Sequence, residues 1–94
     1  MNKDILDVNI RYSFEEYLHK RGYRPATIWA YSLAIQSKVI SVENFYSWKE
    51  VKYNINRLVR EYGPFGEKED IGAIGHNTVI CALRRFKEFC DENK

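Results

Sequence analysis

Apolar residues recur along most of this chain at spacings of three and four, and no segment alternates apolar with polar for long, a pattern that predicts helices and no strand. Phe14, Tyr17, Leu18 and the stem of Arg21 share one face, and Gly22 follows where a left-handed residue ends a helix. The spacing predicts a first helix over about 10–21, with a start as early as Ile5 to Ile10. Ser13-Phe14-Glu15-Glu16 reads as a capping box inside that range. Pro25 suits the first turn of a second helix, 25–40, where its missing amide proton costs nothing. Ile28, Tyr31, Ile35 and Val39 form one stripe on it and Trp29, Leu33 and Ile40 a second, as expected of a central helix touched on more than one side. Ser47-Trp48-Lys49-Glu50 is another capping box. Val51, Ile55, Leu58, Val59 and Tyr62 continue it as a third helix, 48–62, stopped by Gly63-Pro64. From Gly63 to His76, four glycines and a proline predict a surface loop, ordered or semi-mobile. Asn77 then caps a last helix, 77–91, which buries Val79, Ala82, Leu83, Phe86, Phe89 and Cys90. It turns Ile80, Arg84, Lys87 and Glu88 outward and leaves Arg85 on the border.

The chain of 94 residues is one domain's worth, 1–94, large enough for a single core and too small for a core plus an elaborate active site. Aromatics, 15% of the chain, supply much of the apolar area that so short a sequence needs, and Trp29 and Trp48 are expected in the core rather than as base-stacking platforms. A net charge of +2 does not by itself call for nucleic acid, but its distribution does more. Between Arg11 and Arg60, nine Lys or Arg face four acids, so a locally basic surface is expected there. Cys81 and Cys90 stand nine apart, on opposite faces of one helix, and cannot pair with each other. Unpaired thiols and the lack of a leader-like apolar run near Met1 point to a reduced, cytoplasmic setting, and no apolar stretch approaches a membrane span, so no membrane role is expected.

Three segments carry a family likeness. Phe14-Glu15-Glu16-Tyr17-Leu18 with Gly22, then Arg24-Pro25-Ala26-Thr27-Ile28-Trp29-Ala30-Tyr31, then Thr78-Val79-Ile80-Cys81-Ala82-Leu83-Arg84-Arg85-Phe86 resemble the successive helices of the N-terminal core-binding, or SAM-like, domain of phage integrases and other tyrosine recombinases. Arg24 stands where the family usually has Ser, and the Gly63 to His76 loop is longer than the family's turn. The resemblance implies an all-α, compact four-helix SAM-like orthogonal bundle. It also implies double-stranded DNA as partner, gripped by the second and fourth helices, with a C-terminal catalytic domain or other recombinase protomers alongside.

The chemistry of the two helix starts agrees with such a role. Unpaired amides and partial positive charge at a helix N-terminus attract phosphate, and Thr27, Asn77 and Thr78 sit at those ends with Arg24 and His76 just outside. Lys38 extends the candidate surface along the second helix, and Arg84, Arg85 and Lys87 along the last. Thr27 and Asn77 serve equally well as local caps, and Arg84 and Lys87 equally well as an ordinary solvated face. Ile80 among polar neighbours hints at contact with another domain, another protomer or DNA sugar. An enzyme is not expected of this chain. Neither His19 nor His76 has an Arg three residues later, so the recombinase His-x-x-Arg element is missing, and no Gly-rich phosphate loop is present. Two His and two Cys show no ligand spacing, so no metal site or cofactor is expected. A stand-alone helical module that binds protein is the alternative, favoured by the near-neutral charge and by Ile80.

Overall fold

The structure, a computed structural model, describes residues 3–92, with side chains from residue 9 onward. Helix α1 spans Lys3–Lys20, so Ser13 lies in its exposed interior and caps nothing. Its end is a Schellman motif. Gly22 takes φ 89°, the Tyr23 N–H bonds the Leu18 carbonyl at 3.1 Å and the Gly22 N–H bonds that of His19 at 3.0 Å.

Arg24 is extended and Pro25 opens α2, Pro25–Ile35. The helical path continues through a π-turn, Gln36–Ile40, and a last α-turn, Ser41–Glu43. A second Schellman motif closes it, with Asn44 at φ 59° in the place glycine usually takes and the Phe45 N–H reaching the Ile40 carbonyl at 3.0 Å. The expected end at residue 40 is thus overrun because no glycine or proline marks the stop. Of the two stripes, only the one with Ile28, Ile35 and Val39, joined by Ile40, is buried. Trp29 is 64% exposed, against the expectation of a core tryptophan, while Trp48 is 2% exposed as expected.

The predicted third helix is two, α3 (Trp48–Tyr53) and α4 (Ile55–Tyr62), divided at Asn54. The Asn54 amide bonds the Glu50 carbonyl at 2.8 Å, and its own N–H is shared between Glu50 and Val51. The apolar rhythm runs through Asn54 unbroken, which hides the division in the sequence. Ser47 precedes α3 without a side-chain cap bond, and Glu50 instead accepts the Tyr46 N–H at 2.7 Å. A short α5, Glu69–Gly72, interrupts the expected loop. Helix α6, Ile74–Glu92, begins with Gly75, His76 and Asn77 at φ 68°, 57° and 71°, so regular helix starts at Thr78. There is no strand among the described residues.

α6 packs against α2 and α4, while α1 rests on α2 and α3. An aromatic cluster holds the core. Phe14 and Phe86 meet edge to face at 5.0 Å between centroids, and Trp48 stands 5.7 Å from Phe86. The buried indole N–H is satisfied by Gln36 at 2.9 Å, and the fully buried Ser32 hydroxyl donates to Glu15 at 2.6 Å. At the far end Tyr17 and Arg21 both bond Glu92, tying the close of α6 to the close of α1. The radius of gyration, 12.4 Å, is that of one compact unit of this length.

Candidate nucleic-acid interface

The sequence-predicted residues lie along α2 and α6, which pack against each other. Thr27 and Tyr31 stand four apart on α2 and share a flank, while Arg24 lies just ahead of the helix in extended backbone and Lys38 in the π-turn that continues it. Arg24 and Lys38 are exposed and Thr27 is half-buried. Tyr31 leans on Tyr23, rings 5.9 Å apart, and burial first, then Cys81 and Tyr23 beside it, pushes its hydroxyl above the usual tyrosine range. It is a neutral hydroxyl at ordinary pH.

The start of α6 differs from expectation. Asn77 is left-handed rather than in the extended conformation of an N-cap. Its N–H returns to the Ala73 carbonyl at 3.0 Å, and the Thr78 hydroxyl donates to the Gly75 carbonyl. Thr78 therefore has lone pairs, not a proton, left for a ligand. His76 and Asn77 are exposed on this turn.

Farther along α6, the three cations part company. Arg85 donates to the Tyr23 hydroxyl at 3.2 Å and pairs with Glu88 at 3.1 Å, which makes it a strut between the α1–α2 connection and α6. The Tyr23 hydrogen bond is the main reason its pKa is raised. Lys87 pairs with Asp91 at 2.8 Å. Arg84 is exposed and has no ion pair among the described residues. It shares an open cavity of about 200 Å³ with Asn77, Cys81, Glu69, Pro64 and Tyr62. Glu69 brings a negative charge to the edge of this surface.

Ile80, expected to point outward, is 5% exposed and packs toward Gly63 and Tyr62. The long loop covers that side of the helix, which the helical repeat alone cannot disclose. Cys90 is buried, and burial pushes its thiol up to about 11, so it is an inert hydrophobe at neutral pH. No group of three or more His, Cys, Asp or Glu is placed to hold a metal among the described residues, and no helix among them is long and apolar enough to cross a membrane.

Two features escaped the sequence reading. One is a cluster around Glu43, whose side chain is 8% exposed. It accepts from Lys68 at 2.7 Å, Tyr62 at 2.9 Å and Arg57 at 3.3 Å, and Arg57 also pairs with Glu61 at 2.8 Å. The other is Phe65, fully exposed at φ 67° between Gly63-Pro64 and Gly66. The Gly-Pro-x-Gly frame was the only signal for it. No protein-family model, curated protein or solved structure matches this chain.

Proposed function

We propose that this domain is a non-catalytic duplex-DNA clamp of the tyrosine-recombinase core-binding kind, a SAM-like bundle that serves recombination or integration and works in a reducing, cytoplasmic setting. The observation that carries the reading is a set of three exposed cations with no ion pair among the described residues: Arg24 just ahead of α2, Lys38 on the π-turn that continues it, and Arg84 on α6, which packs against α2. Cations that satisfy nothing within the fold are the ones free to release counterions from phosphate. Thr27 and His76 flank them as hydrogen-bonding groups, and Arg85 supports the surface from below through Tyr23. In a recombinase the nucleophilic Tyr and its Arg and His partners would lie in a separate domain.

Fluorescence anisotropy of a labelled random-sequence duplex tests the clamp. Three phosphate contacts give a slope of log affinity against log salt near −2.7, so affinity should fall about 40-fold between 50 and 200 mM salt. Arg84→Glu should shallow the slope by about one and weaken binding at every sequence, while Lys87→Glu, already neutralised by Asp91, should do much less. Binding at low salt that is indifferent to Arg84→Glu and Arg24→Glu would sink the assignment. A protein-binding module is the second reading, favoured by the exposure of Phe65 and of Tyr46, at 93%.

A further inference from the structure

The Gly63 to Gly72 segment presents one side chain at a cost. A bulky residue at positive φ is disfavoured, and Phe65 adds to that the exposure of its whole ring to water. The ring packs against no other described residue to offset either. Yet the segment beneath is held firmly. The Lys68 N–H bonds the Glu61 carbonyl at 2.8 Å, the Lys68 ammonium bonds Glu43, and Gly66 is pressed so close to α4 that no Cβ would fit. An aromatic ring fixed outward on a braced support has the form of an interface anchor, with little ordering entropy left to lose on docking.

The charge around the ring says what it docks on. Glu67, Glu69 and Asp70 are exposed and unpaired among the described residues, so phosphate is repelled and a cationic surface is attracted. This chain carries such a surface elsewhere. An open hollow of about 580 Å³ lies between the π-turn and the connection that follows it, lined by Ile40, Phe45 and Tyr46 with the polar Gln36, Ser41 and Asn44 at its sides, and has room for a phenyl ring. Lys38 lies in the chain between the lining residues Gln36 and Ile40, and Lys49 and Lys52 follow on α3, while Glu43 and Glu50 are occupied by internal partners.

We infer that Phe65 of one copy inserts into the Ile40, Phe45 and Tyr46 hollow of a second copy, an association of unlike patches that runs head to tail. It requires no DNA, and the only residue it shares with the clamp reading is Lys38. Because the two patches differ, each copy keeps one of each free, and the contact extends to chains or closes to rings.

Sedimentation equilibrium at low salt, over about 20 μM to 1 mM, reads it directly. The weight-average mass of the wild type should rise with concentration and fall back with salt. Phe65→Gly should weaken association tenfold or more while raising the melting temperature, because glycine relieves the positive φ. Tyr46→Glu should weaken it as much from the other side. Mixing the two variants leaves one intact tip and one intact hollow, so the mixture should form a one-to-one dimer that stops there. A wild type monomeric at 1 mM, a Phe65→Gly variant that associates like the wild type, or a mixture that stays monomeric while the wild type associates would each overturn the inference.

Discussion

Gly72→Ala is expected to cost this domain about 3 kcal/mol or more, a large part of the roughly 5–14 kcal/mol that a chain of this length has to lose. Gly72 is buried, and a Cβ there would lie 1.9 Å from the Tyr62 carbonyl oxygen and 2.9 Å from its carbon. Both are backbone atoms, so no rotamer change relieves the clash. The loop would have to lift from the end of α4. Gly66 is in the same position against the Glu61 carbonyl, at 2.2 Å. The close approach has a purpose: α4 ends with carbonyls that lack helical partners, and the returning loop brings them the Lys68 N–H. The melting temperature should drop by about 12–24 °C, with the lost loop contacts also exposing Ile80. Gly22→Ala is the control. Gly22 has φ 89° but nothing within 4 Å of its would-be Cβ, so its replacement should cost only the conformational term of about 1–2 kcal/mol. Equal losses in the two variants, read by thermal circular dichroism, would show that the loop does not press on α4 as described.

This loop is also where sequence reasoning ran out. Helices were legible where the buried face repeats at three and four, as from Phe14 to Leu18, with Gly22 to end it, and from Val79 to Cys90. They were illegible where a side chain made the boundary. Asn44 replaced the expected glycine, and Asn54 divided one apolar stripe into two helices by taking the Glu50 carbonyl. Exposure failed at Trp29 and Ile80 for one reason: helical periodicity says which residues share a face, and only packing says what covers it. Trp29 lies on the side of α2 away from its neighbours, and Ile80 lies under a loop that sequence treats as a connector. Of the proposed DNA contacts, cations could be named from sequence but not sorted. That Arg85 and Lys87 have partners while Arg84 has no ion pair among the described residues depends on Tyr23, 62 residues away from Arg85, and on which acids lie within reach.

Glu43 is the second position of large effect, and it couples stability to pH. Burial by itself would raise its pKa. The hydrogen bonds from Lys68, Tyr62 and Arg57 outweigh burial and hold the carboxyl below its ordinary value of 4.5. A carboxylate depressed in the folded state contributes stability that is fully present above the unfolded pKa, near 4.5, and is lost as pH falls through the folded value. The urea midpoint should therefore hold steady from neutral pH down to about 5 and then fall with acid. Glu43→Ala at neutral pH should cost about 2–3 kcal/mol, less than a wholly buried ion pair would, because Arg57 and Lys68 are each about one-third exposed and can recover water. Glu43→Gln is the discriminating variant. It keeps an acceptor for Tyr62 and Lys68 but removes the charge, so it should fall between the two in stability and lose most of the acid limb. Tyr62 gives the alkaline counterpart, because burial first and the Glu43 hydrogen bond second push its hydroxyl far above the usual tyrosine range. A group so raised stabilises the fold below its unfolded pKa and withdraws that support as pH climbs past 10. If the acid limb of Glu43→Gln superimposed on that of the wild type, some other carboxylate would carry the acid sensitivity. The bond between Lys68 and Glu43 would then be a surface contact rather than the fastening that keeps the loop on α4.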